Sequence, residues 1–383
     1  MENTETKNKI SLVTILFTVF MDLLGIGIII PIIAPALLKT DLLGNIPYGS
    51  KTLILGLLIS AYPIAQFFGA PILGAWSDNI GRKKVLIFSI IGSMIGYLLF
   101  AYGLTVNNIA LLFLSRFIDG ATGGNISVIY SALADVSDEK TKARNFGLVG
   151  AAFGVGFIIG PFFGGELATP QLVSWFNYST PFFFAALLSF INLILVITRF
   201  KETIKQKKNT PISALTGIRN INKAFKIKEF RTIFLIAFLV MFGFTMFSQF
   251  FQVFLIEKFN YSQLEIGKLL AYFGVISVLV QGGLVRRLAK KYSPIKILPF
   301  SLLFMSIALI SLIIPDKASY LYLTMALVAI GQGLSSPNIS ALVSNLADNS
   351  MQGEILGINQ SIQALAQAIP PMVGGLTVSQ HLN

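Results

Sequence analysis

The sequence predicts an all-α membrane protein: two six-helix repeats around a central cavity, with the last helix of the second repeat absent. Three observations predict it: a composition too apolar for a water-soluble domain, apolar runs along the whole chain, and an internal repeat. Of 383 residues, 54% are hydrophobic and only 12% charged. A soluble domain carries about 25% charged residues, so too little polar surface is present to face water.

Apolar stretches long enough to cross a bilayer recur throughout. The predicted spans, with boundaries uncertain by a few residues, run about 11–38, 52–76, 85–103, 108–134, 145–168 and 180–199. A polar segment over about 200–230 follows, then spans at about 231–256, 265–285, 294–314, 319–346 and 352–378. They are numbered 1 to 11 here. The first run is too long for a secretory h-region and contains Asp22, so it reads as a retained span. The predicted domains are an N-terminal six-helix bundle over 1–199, a basic cytoplasmic linker over 200–230 and a C-terminal bundle over 231–383.

Cations alternate between loops in a way that orients the array. Lys7, Lys9, Arg82, Lys83, Lys84, Lys140, Lys142 and Arg144 fall on one side. So do Arg199, Lys201, Lys205, Lys207, Lys208, Arg219, Lys223, Lys226, Lys228 and Arg231 of the linker and its edges, and Arg286, Arg287, Lys290, Lys291 and Lys296. The opposite side has Lys39, Lys51, Lys258, Lys268 and Lys317. The N-terminus and linker are therefore expected in the cytoplasm, and the protein in the inner membrane. The net charge of +12 belongs to this asymmetry and not to nucleic-acid binding. There is no cysteine and one histidine, His381, so thiolate or histidine metal sites and His-based catalysis are excluded.

Span 4 contains Gly120, Asn125-Ile126-Ser127 and Leu133-Ala134-Asp135; span 10 contains Gly333, Asn338-Ile339-Ser340 and Leu346-Ala347-Asp348 at a constant offset. Span 5 contains Gly147, Pro161 and Gly164-Gly165; span 11 contains Gly357, Pro371 and Gly374-Gly375, again at one offset. Repeats of this kind build many secondary transporters, with a substrate site near the bilayer midplane at the repeat interface. A span 12 matching span 6 is expected and not found. Either the chain is truncated or it is an eleven-span variant.

The loop between spans 2 and 3 reads Gly74-x3-Asp78-x2-Gly81-Arg82-Lys83-Lys84. Gly74 permits close helix approach, and Asp78 beside the cations can form a charge-assisted conformational latch. This loop resembles the signature loop of the major facilitator superfamily. A degenerate second copy, Gly283-x3-Arg287-x2-Lys290-Lys291, lacks the acid. Asp22-Leu-Leu-Gly25-Ile-Gly27 with Pro31 is similar to the first helix of the tetracycline/proton antiporter group. Arg116-Phe-Ile-Asp119-Gly120 with Gly123-Gly124 is similar to the family's arginine motif, except that an acid stands at 119, where the family mostly has glutamine or a small residue. Gly154, Gly156, Gly160, Pro161, Gly164 and Gly165 look like the motif of antiporters. The resemblance implies the twelve-helix drug/proton antiporter branch, a monomer, and a proton gradient in place of any cofactor.

Ionisable residues within membrane helices are costly and face the bundle interior. Asp22, Arg116 and Asp119 are therefore the proton-coupling candidates. Burial raises a carboxylate pKa and a nearby arginine lowers it, so a carboxylate balanced between the two exchanges its proton as water access alternates. A purely structural Arg116–Asp119 pair is the alternative. The glycine face at 156, 160 and 164, with Pro161, is expected to seal against the opposite repeat as a hinge. Polar or aromatic residues in apolar spans are the substrate-cavity candidates: Tyr62, Gln66, Asn125, Gln249, Gln252, Gln281, Asn338, Asn359, Gln363 and Gln367. No nucleotide-binding loop, metal cluster or nucleophile elbow is present, so no enzyme activity is expected. Two transport readings stay open: proton-coupled efflux of small amphipathic molecules, and a carrier for one metabolite such as a sugar, amino acid or siderophore.

Overall fold

A computed structural model describes residues 2–137, 142–204, 211–213, 215–226, 228–314, 316–345 and 352–382. Lys140, Lys205, Lys207, Lys208 and the second repeat's Leu346-Ala347-Asp348 lie outside them. Among the described residues there is helix and no strand. The helices are α1 (Glu2–Leu38), α2 (Tyr48–Ile80), α3 (Arg82–Thr105), α4 (Ile109–Thr122), α5 (Ile126–Asp135), α6 (Lys142–Leu167) and α7 (Thr180–Arg199). They continue as α8 (Thr216–Lys226), α9 (Lys228–Phe259), α10 (Gln263–Leu279), α11 (Arg286–Ala289), α12 (Pro294–Ser311), α13 (Tyr320–Asn345) and α14 (Gln352–Leu382). Eight of these helical runs are long and apolar enough to cross a membrane, so the chain is a multi-pass membrane protein.

Several predicted spans differ in extent or continuity. α1 extends back to Glu2, because the polar N-terminal residues still favour helix. The linker is partly helical, over α8, and α9 starts at Lys228, inside the segment assigned to the linker. Span 4 is not one α-helix: α4 and α5 are joined by a 3-10 turn, Gly123–Asn125. In span 8 a π-helical turn, Val280–Val285, separates α10 from α11. Backbone groups released by such irregularities inside a membrane need new partners. At the 3-10 turn Gln66 supplies one, donating Nε2 to Gly123 O at 3.0 Å.

Spans 3, 6 and 9 are peripheral. Along α7, Phe183, Leu187, Phe190, Ile194 and Ile197 are exposed; along α12, Phe300, Leu303, Ile307 and Ile310 are exposed. Each set recurs every three or four residues, a single helical stripe. In a bilayer such a stripe faces acyl chains, where exposure of apolar atoms costs nothing.

The two repeats meet along α2–α14 and α6–α10. Both seams are built alike. A Cβ at Gly267 of α10 would lie 2.5 Å from Pro161 O and 3.2 Å from Gly165 Cα of α6. A Cβ at Gly56 of α2 would collide with Pro371 O and lie 3.1 Å from Gly375 Cα of α14. The same pairing of glycine with proline carbonyl at both seams is the structural trace of the internal repeat.

These seams lie toward the cation-poor end of the bundle, where polar ties also cross between the halves. Lys39 Nζ donates to Tyr261 O at 2.8 Å and to Asn260 Oδ1 at 3.3 Å. Gln263 Nε2 donates to Ala168 O at 3.0 Å, and the Tyr178 hydroxyl reaches Gln263 Oε1. Burial pushes the Tyr178 phenol above its ordinary value and keeps it a donor. Tyr48 donates to the Glu257 carboxylate. Replacing Glu257 by alanine together with Lys39 by methionine is expected to open this end. A single cysteine introduced in the α9–α10 loop would then react several-fold faster with a water-soluble thiol reagent.

Candidate functional site

Charged and amide side chains gather inside the first repeat where α1, α2, α3 and span 4 converge. α4 is drawn tightly into this cluster by glycines: a Cβ at Gly96 would meet Asp119 Cβ at 2.8 Å, and one at Gly120 would collide with Tyr62 O. The close approach presents Arg116 and Asp119 to the interior, where they are 3% and 2% exposed. Arg116 Nη2 lies 3.2 Å from Asp119 Oδ2. Those two atoms and Arg116 Nε have no aligned hydrogen-bond partner among the described residues, so the contact is an ion pair held by charge. The guanidinium also sits 4.8 Å from the Phe100 ring centroid and 5.9 Å from that of Tyr62.

Asp22 belongs to the same region. Its Oδ2 accepts from Asn125 Nδ2 at 2.8 Å, tying α1 to the 3-10 turn of span 4. Asn125 is buried, whereas Asp22 retains partial exposure. Six residues separate Asp119 from Asn125, about 9 Å along a helix axis. The two carboxylates therefore share one region of the first repeat, Asp119 sealed beside a guanidinium and Asp22 half-buried. Tyr97 stands between them, its hydroxyl against Gly25 of α1, one turn from Asp22.

The second repeat has no copy of this cluster. At the offset relating spans 4 and 10, Arg116 corresponds to Ala329 and Asp119 to Gln332.

The structure sorts the cavity candidates. Tyr62 and Asn125 join the ionisable cluster. Gln66 spends its amide on Gly123 O, and Asn338 donates to Leu334 O of its own helix at 2.7 Å, so both serve backbone. Gln281 is exposed on the π-helical turn, away from the interior. Gln249, Asn359, Gln363 and Gln367 are half-buried. Gln252 is 1% exposed, and neither amide atom has a partner among the described residues. Buried amides are almost always paired, which makes Gln252 the strongest ligand-contact candidate of the group.

The expected role of the span 5 glycines is corrected. Gly156, Gly160 and Gly164 pack on α1 within the same repeat, against Leu23, Gly27 and Ile28. The seal to the opposite repeat is made by Pro161 and Gly165, together with Gly154 against Val278 of α10. Residues spaced by four occupy one face, and 154, 161 and 165 lie on another.

Gly74, Asp78, Gly81, Arg82 and Lys83 do form a network. Gly81 turns α2 into α3 at φ 114°, which only glycine adopts readily. Arg82 pairs with Asp78 at 2.6 Å and with Asp135 of α5 at 3.2 Å, and donates to Ser77 Oγ at 2.6 Å. Glu202 accepts from the Arg82 and Lys83 backbone at 2.9 and 3.2 Å. Gly74 leaves room for Ser127 of α5. All these contacts lie within the first repeat and the start of the linker. Sequence reasoning missed Asp135 and Glu202 as partners, although Asp135 is part of the repeated Leu-Ala-Asp segment. Arg82→Gln is expected to cost about 2 kcal/mol, the value of hydrogen bonds to charged groups. A thermal-unfolding series in detergent would measure it, and Arg82→Lys would rescue little because one ammonium cannot copy the planar fork.

Comparison with known proteins agrees with this architecture. Residues 15–371 match the family described as Major Facilitator Superfamily. The chain is 31% identical over 375 residues to the class H tetracycline resistance protein of Pasteurella multocida, covering 96% of this chain and 88% of that one. It is 27% identical over 389 residues to multidrug resistance protein 2 of Bacillus subtilis, covering 100% of this chain and 92% of the other. A crystal structure of a D-xylose-proton symporter superposes with a TM-score of 0.76 at 14% identity, covering 97% and 96% of the two chains.

Proposed function

This chain belongs to the major facilitator superfamily, and we propose that it is a proton-driven exporter of small amphipathic molecules working by alternating access. The observation that carries the proposal is the pair of carboxylates in the first repeat. Asp22 is half-buried and hydrogen-bonded across to span 4, and Asp119 is sealed against Arg116. A proton taken up at Asp22 removes the charge that Asn125 binds and loosens the tie between α1 and the 3-10 turn. That is a local change at a point where an irregular helix can move. The names of the relatives, resistance proteins for tetracycline and for several drugs, support efflux. In this reading the chain needs no cofactor and functions as a monomer.

Gln249, Gln252, Asn359, Gln363 and Gln367 supply polar contacts from the second repeat, and the proton sites come from the first. The seams through Gly165 and Gly56 close the cation-poor side. The network of Gly74, Asp78, Gly81, Arg82 and Lys83 steadies the first repeat as a rigid body at the basic end. The loop cations support a cytoplasmic N-terminus and linker.

The test is proton flux in inverted membrane vesicles while cationic, zwitterionic and neutral drugs are added. Substrate-triggered proton release is expected in the natural protein and at least tenfold less in Asp22→Asn. Because the introduced amide still accepts from Asn125, as a protonated carboxyl would, the variant should stay folded with a loss of about 1 kcal/mol. Full gradient-dependent export with both Asp22 and Asp119 neutralised would overturn the proposal; response to one sugar or amino acid alone would select the metabolite carrier.

A further inference from the structure

The linker helix α8 has three different sides. One rests on the protein: Gly217 abuts the Phe67 ring of α2, and Asn220 Nδ2 donates to Ser361 Oγ of α14 at 3.2 Å. Ile221 on this side packs against Phe234, Ile358 and Ile362. A second side carries Ile218 and Phe225, 51% and 43% exposed. Two helical turns apart, they fall nearly in line. The third side carries Arg219, Lys223 and Lys226, all exposed. No acidic residue occurs between Glu202 and Glu229 in the sequence.

Neither water nor hydrocarbon alone suits this arrangement. An apolar row of isoleucine and phenylalanine gains nothing from facing water, and a helix facing only acyl chains does not carry three cations on one flank. The headgroup–acyl boundary accommodates both sides. α8 is also held there, because its first side is fixed to two membrane helices and its C-terminal end leads directly into α9.

We infer that α8 is an interfacial helix that binds anionic phospholipid headgroups of the cytoplasmic leaflet through Arg219, Lys223 and Lys226, with Ile218 and Phe225 in the acyl boundary. The leaflet follows from the orientation proposed above. Each cation near an anionic surface strengthens binding about fivefold, and the attraction falls with salt.

The chain has no cysteine, so Asn222→Cys gives a unique labelling position at the border of the apolar and basic sides. The labelled full-length protein would be placed in nanodiscs of phosphatidylcholine alone or with phosphatidylglycerol. An environment-sensitive fluorophore at 222 is expected to shift to shorter wavelength with phosphatidylglycerol. Its quenching by headgroup-region nitroxide lipid should rise at least twofold, and high salt should reverse both effects. R219Q/K223Q/K226Q, eluting as the same folded species, should lose the response. Identical signals in the two lipid mixtures, or a response that survives the triple substitution, would overturn the inference. A membrane-impermeant thiol reagent applied to intact cells tests the orientation separately. Both leaflets are open in nanodiscs, so a failed orientation leaves the lipid result readable.

Discussion

Asp119→Asn is expected to abolish gradient-driven export and also to destabilise the protein. Arg116 and Asp119 are almost completely buried, and the aspartate is the one counter-charge in contact with the guanidinium among the described residues. Removing one partner of a buried pair costs about 3–5 kcal/mol, because the remaining charge has no water and no counter-ion. The Phe100 and Tyr62 rings return part of this, about 0.5–2 kcal/mol. Stability and transport must therefore be measured together. Arg116→Gln combined with Asp119→Asn removes both charges and should recover most of the thermal stability while leaving proton flux absent. Transport at the natural rate in the double variant would make the pair purely structural.

Gly267→Val and Gly56→Val are expected to slow transport more than tenfold by a different route. At either position the new side chain meets a backbone carbonyl of the opposite repeat, Pro161 O or Pro371 O, which cannot rotate aside. The seam must separate, and the cation-poor end should be held open. A cysteine placed near that end would become reactive to a water-soluble thiol reagent in both variants. Gly243→Ala is the control, since nothing lies within 4 Å of its added Cβ. It should transport normally and gain about 0.8–1 kcal/mol of helix propensity. Normal transport by Gly267→Val would remove the seam from the conformational cycle.

The spans were legible because apolar length is a local property, and the repeat because matched residues recur at fixed offsets. Asp22, Arg116 and Asp119 were legible because charge inside an apolar run stands out. Their arrangement was not. Asp22 meets Asn125 across 103 positions of sequence, and nothing local says that Asn125 serves a carboxylate whereas Gln66, an equally plausible cavity residue, caps Gly123 O. The glycine face was read correctly as a packing surface and assigned to the wrong neighbour. Helical periodicity gives the angle between two sets of glycines but not what each set faces. The linker helix was hidden for another reason. Over 200–230 the polar and basic residues dominate the average, and the separation of Ile218 and Phe225 from Arg219 and Lys223 emerges only when the residues are wound onto a helix.

The ionisable pair occurs in one copy of a duplicated scaffold, with Ala329 and Gln332 in its place in the other. This has a consequence for how such a protein adapts. Substitutions at Gln252 or Gln363 alter a different repeat from the one that holds Asp22 and Asp119. Sites without shared partners contribute nearly independently. Under the proposed function, a population exposed to a new toxic compound could vary polar contacts of the second repeat while the proposed proton sites of the first stay intact. On that reading, a duplicated scaffold with the charged pair in one half alone would leave fuel and cargo under separate selection.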